Sequence, residues 1–186
     1  MRKVIGGEDP MTTLIVTESL FGNTLAIAEA IGDGVAEVHG SAAVRVVHAS
    51  EAPTEVPHDV DLLVIGAPTH LLSLPNAGSR HDAEGKGAPP VRPTGVREWI
   101  ESVAIPDGLR VATFDTSIPA RSGLGTAAGE TARALRGRGA VAAVGPSFFV
   151  TGMEGPLADG ELGRATAWGR DLAGAPASTA WASFTA

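Results

Sequence analysis

Short runs of aliphatic and β-branched residues alternate along this chain with longer segments whose apolar positions recur every three or four residues. The short runs are Leu14-Ile15-Val16-Thr17, Val44-Arg45-Val46-Val47-His48, Leu62-Leu63-Val64-Ile65-Gly66 and Arg110-Val111-Ala112-Thr113-Phe114, with a split fifth formed by residues 140–144 and 148–150. Between the first two, over 24–38, Ala28, Ile31, Val35 and Val38 mark one helical face and Glu29, Asp33 and Glu37 the wet one. Further helices are predicted over 98–103, entered near Pro93, over 126–138 and over 162–172. In the 126–138 segment Arg133, Arg136 and Arg138 fall in the last turns, where cations complement the helix dipole. Strands separated by helices imply βαβ units wound into a parallel sheet. The third run is apolar throughout, as a strand covered on both faces must be, which places it centrally.

One stretch breaks the alternation. Residues 71–92 are rich in Gly, Pro and mixed charge and predict a long loop, a length that in compact domains usually signals function or disorder. It leaves the C-terminal end of the central strand, the edge at which open parallel sheets bind ligands.

Composition then removes chemistries. The 186 residues suit one domain. With no Cys, thiolate metal sites, iron–sulfur clusters and a cysteine nucleophile are absent, so electron transfer would need a bound organic cofactor. Fourteen cationic against 21 acidic side chains give a net charge of −7, which disfavours phosphate-backbone contacts with nucleic acid and suits a small ligand or a basic protein partner. Aromatic residues are few, five Phe and three Trp with no Tyr, so ring-stacking candidates are scarce. No apolar run reaches membrane-span length, and the start of the chain lacks the apolar stretch of a signal peptide, so a cytoplasmic location is expected. Residues 1–11 read as a leader, 12–173 as the domain and 174–186 as an Ala-, Ser- and Thr-rich tail carrying Trp181 and Phe184.

The most informative motif is Thr17-Glu18-Ser19-Leu20-Phe21-Gly22-Asn23-Thr24, between the first strand and the first helix. Unpaired N–H groups at a helix N-terminus, joined by Ser, Asn and Thr side chains, make an anion pocket. The loop holds no Lys, so it suits a bound cofactor phosphate rather than phosphoryl transfer. Two other glycine motifs fail. Gly123-Leu124-Gly125-Thr126-Ala127-Ala128 matches a dinucleotide pattern but lies several residues beyond its strand, with no acidic residue placed for a ribose, and reads as a glycine-rich helix start. Gly85-Lys86-Gly87 lacks the upstream Gly and following Ser or Thr of a phosphate loop. Among the histidines, His39, His48 and His58 read as surface residues, His81 as a local partner of Asp82, and His70 either as a backbone cap or as a ligand contact. Arg80 reads as solvated loop charge in preference to a residue facing a ligand phosphate.

Ile15, Val16, Ser19, Gly22, Thr24, Ala28 and Ile31 together resemble the fingerprint of the flavodoxin family, with Thr17 where that fingerprint has an aromatic. Gly66-Ala67-Pro68-Thr69-His70 resembles the family's second flavin loop and Phe114-Asp115-Thr116-Ser117 its third. With Glu154-Gly155-Pro156-Leu157, the set is similar to flavodoxin-domain proteins of high-GC bacteria. The resemblance implies a flavodoxin-like three-layer α/β sandwich with strand order 2-1-3-4-5, binding FMN. Its phosphate is expected on Ser19, Phe21, Gly22, Asn23 and Thr24, and its ring between Pro68, Thr69, His70 and Leu71 on one side and Asp115, Thr116 and Ser117 on the other. An electron-transfer protein with a basic redox partner follows from size, charge and loop. A small FMN-dependent reductase of quinone-type acceptors, with 71–92 as a substrate lid, and a flavin-free binding domain are the alternatives.

Overall fold

The apolar runs fold as one parallel sheet in a computed structural model that describes residues 11–90, 92–119 and 125–175. In chain order the elements are β1 (Thr13–Thr17), α1 (Asn23–His39), β2 (Val44–His48), β3 (Leu62–Pro68), α2 (Ala77–Glu84), α3 (Val96–Ser102), β4 (Arg110–Ser117), α4 (Ala127–Arg136), β5 (Val141–Phe149) and α5 (Glu161–Gly174). The sheet order is β2-β1-β3-β4-β5, with β3 central and apolar on both faces. In β1, β3 and β4, alternate residues feed two cores. Ile15, Val64 and Phe114 pack with Ile27 and Ile31 of α1 and Ala165 and Leu172 of α5, whereas Val16, Ile65 and Val111 pack with Val96 and Trp99 of α3 and Ala132 and Leu135 of α4. The result is the three-layer, flavodoxin-like arrangement expected from the sequence.

Small residues let α1 and α5 approach closely. A Cβ on Gly34 would overlap the Thr166 carbonyl, and one on Gly169 would overlap the Ile31 carbonyl. Three of the eight aromatics are spent on the same layer: Phe114, Phe148 and Trp168 form a cluster with ring centroids 6.0 to 6.3 Å apart. Trp99 is used in the other layer, its Nε1–H donating to the Pro53 carbonyl at 2.9 Å.

Several expectations need correction. Residues 71–92 are not a bare loop, because α2 forms inside them with an Asn76–Ser79 capping box. Asp115, Thr116 and Ser117 are the last residues of β4 rather than a loop after it, and β5 is one strand, its register shifting opposite 113–115. Val38 is 47% exposed, and Ile27 takes the core position on α1. Arg80 is 4% exposed and ion-paired, the opposite of solvated loop charge. His81 faces Glu84 at 3.6 Å rather than Asp82. Gly123, Leu124, Trp181 and Phe184 lie outside the described residues.

Candidate functional site

Parallel strands end together, so the segments leaving β1, β3 and β4 converge at one sheet edge. There they surround a cavity of about 140 Å³. Ser19, Phe21, Asn23 and Thr24 line it from the first loop, Pro68, Thr69, His70 and Leu71 from the second, and Thr116 and Ser117 from the end of β4. Ten of the twelve residues singled out from sequence are thus brought together. Gly22 instead lines a neighbouring cavity, and Asp115 is 1% exposed and lies behind the wall.

The first loop ends on Gly22 at φ +89°, a left-handed conformation that glycine adopts without penalty and that turns the chain into α1. No side chain caps this helix, so its first N–H groups are available to an anion. Thr24 and Thr116 share a buried hydrogen bond, Oγ1 to Oγ1 at 2.8 Å, tying the first loop to the third. A hydroxyl has one proton; whichever of the two accepts keeps its own proton to offer elsewhere. Ser19 Oγ and Ser117 Oγ, both buried, have no hydrogen-bond partner among the described residues. Buried polar atoms are normally satisfied, so two orphaned hydroxyls lining one cavity fit a ligand rich in acceptors.

The second loop is a tight turn in which His70 and Ser73 exchange backbone hydrogen bonds at 2.9 and 3.1 Å. Leu71 and Leu72, its central pair, both have left-handed φ, 48° and 69°. Leu71 is nonetheless 71% exposed at the cavity rim. Arg97 and Glu130 hold the turn from behind. Glu130 accepts from Ser73 Oγ and the Leu74 N–H at 2.7 Å each and from Arg97 at 2.9 Å. Burial pushes the Glu130 carboxyl up, but these donors together hold it below the usual carboxylate range.

Asp115 sits under Thr69, Thr126 and Ser147. Burial raises its pKa, and those hydroxyls pull the other way although neither carboxylate oxygen meets a donor at hydrogen-bond geometry. Thr69 accepts from the Ala127 N–H at 2.9 Å, which joins the second loop to the start of α4. Asp115 therefore belongs to the support of the wall rather than to its surface.

Sequence reasoning missed the rest of the lining. Ser79, Asp82 and Ala83 of α2, with Lys86 just beyond it, form one wall. Lys86 is one of only two lysines in the chain. Val150 and Met153 come from the segment after β5, held to the first loop by Asn23 Nδ2 donating to the Glu154 carbonyl at 3.1 Å. Gly155, at φ +107°, leaves room for the Asn23 amide that a Cβ would strike. The Glu154-Gly155-Pro156 motif had pointed to this segment without its contact. Apart from Phe21 and His70 no aromatic ring among the described residues lines the cavity. Among the described residues no group of His, Cys, Asp and Glu is placed to hold a metal ion.

No family model and no curated protein matches the chain. Solved structures do match its fold. A flavodoxin from the domain Archaea superimposes with a TM-score of 0.58 at 20% identity, over 88% of this chain and 96% of that one. The flavodoxin of Streptococcus pneumoniae TIGR4 gives 0.58 at 16% identity, over 87% and 97%. Flavodoxin 2 from Bacillus cereus gives 0.56 at 19% identity, over 87% and 96%. The chain has the flavodoxin-like fold.

Proposed function

We propose that this protein binds FMN noncovalently and acts in electron transfer. The observation that carries the reading is the convergence of three strand ends on one cavity whose walls leave Ser19 Oγ and Ser117 Oγ without partners. Ser19, Phe21, Gly22, Asn23 and Thr24 would hold the phosphate, chiefly through N–H groups at the uncapped start of α1. Pro68, Thr69, His70 and Leu71 would flank the ring on one side, with Thr116 and Ser117 on the other. When bound, the flavin supplies the electron-carrying chemistry; the protein supplies position and electrostatics. The net charge of −7 favours a partner with a basic surface. Among the described residues no helix is long and apolar enough to cross a membrane, which agrees with action in the cytoplasm.

The test is an absorption spectrum of the purified protein followed by titration of the flavin-stripped chain with FMN. Saturable one-to-one binding is expected; none at excess FMN would overturn the reading and leave a flavin-free binding domain. A small FMN-dependent reductase of quinone-type acceptors is the second reading. It is favoured by the α2 wall, which puts Lys86, Asp82 and Ser79 on the cavity. Steady NAD(P)H oxidation by the purified protein alone, with a quinone present, would decide for it.

A further inference from the structure

The first loop has a cavity on each side. The second one, about 420 Å³, shares Ser19 and Leu20 with the first and extends over the C-terminal ends of β1 and β2. Val46, Val47, Leu25, Ala88, Pro89 and Pro90 give it apolar walls. Its polar groups are specific in kind. Thr17 is fully buried, and its Oγ1 has no hydrogen-bond partner among the described residues. His48 accepts the Ser50 N–H on Nδ1 at 3.1 Å, so in the neutral ring the proton is on Nε2, a free donor. Burial first, then the charge of Arg92, keeps this imidazole neutral by lowering its pKa, which also corrects its reading as a plain surface histidine.

Charges lining the cavity are mostly paired: Glu18 with Arg80, and Glu51 with Arg92. Glu29, one turn beyond Leu25 on α1, has no ion-pair partner among the described residues. An apolar-walled cavity with a neutral N–H donor, an orphaned hydroxyl and two carboxylates matches a purine ring joined to a ribose, whose diol and exocyclic amine donate to carboxylates. In dinucleotide-binding βαβ units an acidic residue downstream of the phosphate loop holds the ribose. Glu51, three residues past β2, is so placed here, and Glu29 of α1 adds a second carboxylate to the cavity lining.

We propose that this second cavity is an adenosine subsite, filled by a nucleotide that reaches it past the first loop. The inference rests on the flavin reading of the first cavity. Adenosine has two possible sources: the distal half of FAD, its diphosphate lying over the first loop, or a separate adenine nucleotide bound beside FMN.

Titration of the flavin-stripped protein with FMN and with FAD, followed by flavin fluorescence, separates them, with AMP titrated into the FMN-loaded protein as the second arm. Leu25→Trp fills the second cavity from an exposed helix position without touching the first. FAD binding about tenfold or more tighter than FMN, reduced to the FMN level by Leu25→Trp with FMN affinity unchanged, assigns the cavity to FAD. Equal FMN and FAD affinities, with AMP binding that Leu25→Trp abolishes, assign it to a separate nucleotide. FMN binding with neither an FAD preference nor AMP binding overturns the subsite and leaves the flavin reading standing. If no flavin binds, the flavin reading fails by itself, and AMP titrated into the bare protein decides the subsite: binding lost in Leu25→Trp supports it, and no binding overturns it.

Discussion

Leu71 and Leu72 occupy a conformation that their side chains resist. Left-handed φ costs an ordinary L-residue about 1–2 kcal/mol, and turns with two such residues usually use Asn and Gly. Leu71 gains little burial in return, being 71% exposed at the rim of the first cavity. Strain combined with apolar exposure fits a side chain kept for contact with a ligand rather than for folding. Leu71→Asn should therefore raise stability by about 1 kcal/mol in urea unfolding while weakening FMN binding. A variant that is stabilised with unchanged FMN affinity would show the leucine to be strain alone. The Thr24–Thr116 pair makes the reverse case. Removing one hydroxyl with Thr24→Val leaves a buried partner unsatisfied, at about 1–3 kcal/mol, whereas Thr24→Val with Thr116→Val should recover much of that loss. Additive losses in the double variant would show that the two hydroxyls do not depend on each other.

Elements were legible where burial was apolar and obscure where it was polar. Strands β1 and β3 and helix α1 announced themselves because their buried positions carry mainly Val, Ile and Leu. Helix α2 did not: its buried residues are Ser79, Arg80 and Ala83, so no apolar face marks it. The Asn76-x-x-Ser79 cap was a local signal, but a buried arginine cannot be told from a solvated one until its partners, one of them 62 residues upstream, are in place. Likewise Asp115, Thr116 and Ser117 read as loop because they are polar, yet β4 continues through them at full burial. The first loop was legible because its glycine, hydroxyls and helix start lie within eight residues. The α2 and post-β5 walls come from distant segments and carry no motif of their own.

The Arg97–Glu130 clamp shows what such distant packing contributes. Because the Glu130 pKa is held below its ordinary 4.5, its stabilisation is complete above that value and is lost as pH falls through the lower folded value. Glu130→Gln should cost about 1–2 kcal/mol at neutral pH, the ion pair being partly solvated, and the cost should shrink on acidification below the carboxylate range. Urea midpoints of both proteins across that range test it; a cost independent of pH would mean that the amide's poorer fit to the three donors, not the lost charge, is what destabilises the variant.

Across the whole molecule the site depends on a buried charge network that spans three elements. Arg80 of α2 pairs with Glu18 of the first loop at 3.1 Å and with Glu98 of α3 at 2.6 Å. Glu18 also accepts the Val96 N–H at 2.8 Å, and Glu98 the Gly95 N–H at 2.9 Å. Glu18 directly precedes Ser19, so the loop proposed to hold the phosphate is bolted through this arginine to the helix walling the cavity. Burial raises the Glu18 pKa despite the help of Val96 and Arg80. The sign follows: a carboxyl whose folded pKa is raised favours the native state most when protonated, and that advantage is lost as pH rises through the folded value. Removing the cation with Arg80→Met strands a buried carboxylate, a loss of about 3–5 kcal/mol at neutral pH, and weakens FMN binding by loosening the loop. Acidification should shrink the deficit relative to the parent, because protonating Glu18 removes the stranded charge. Adding Glu18→Gln to Arg80→Met should recover part of the stability at neutral pH and flatten the dependence on pH. Should the double variant instead be weaker than Arg80→Met at every pH, the arginine would be acting through its packing and the loop would not depend on its charge.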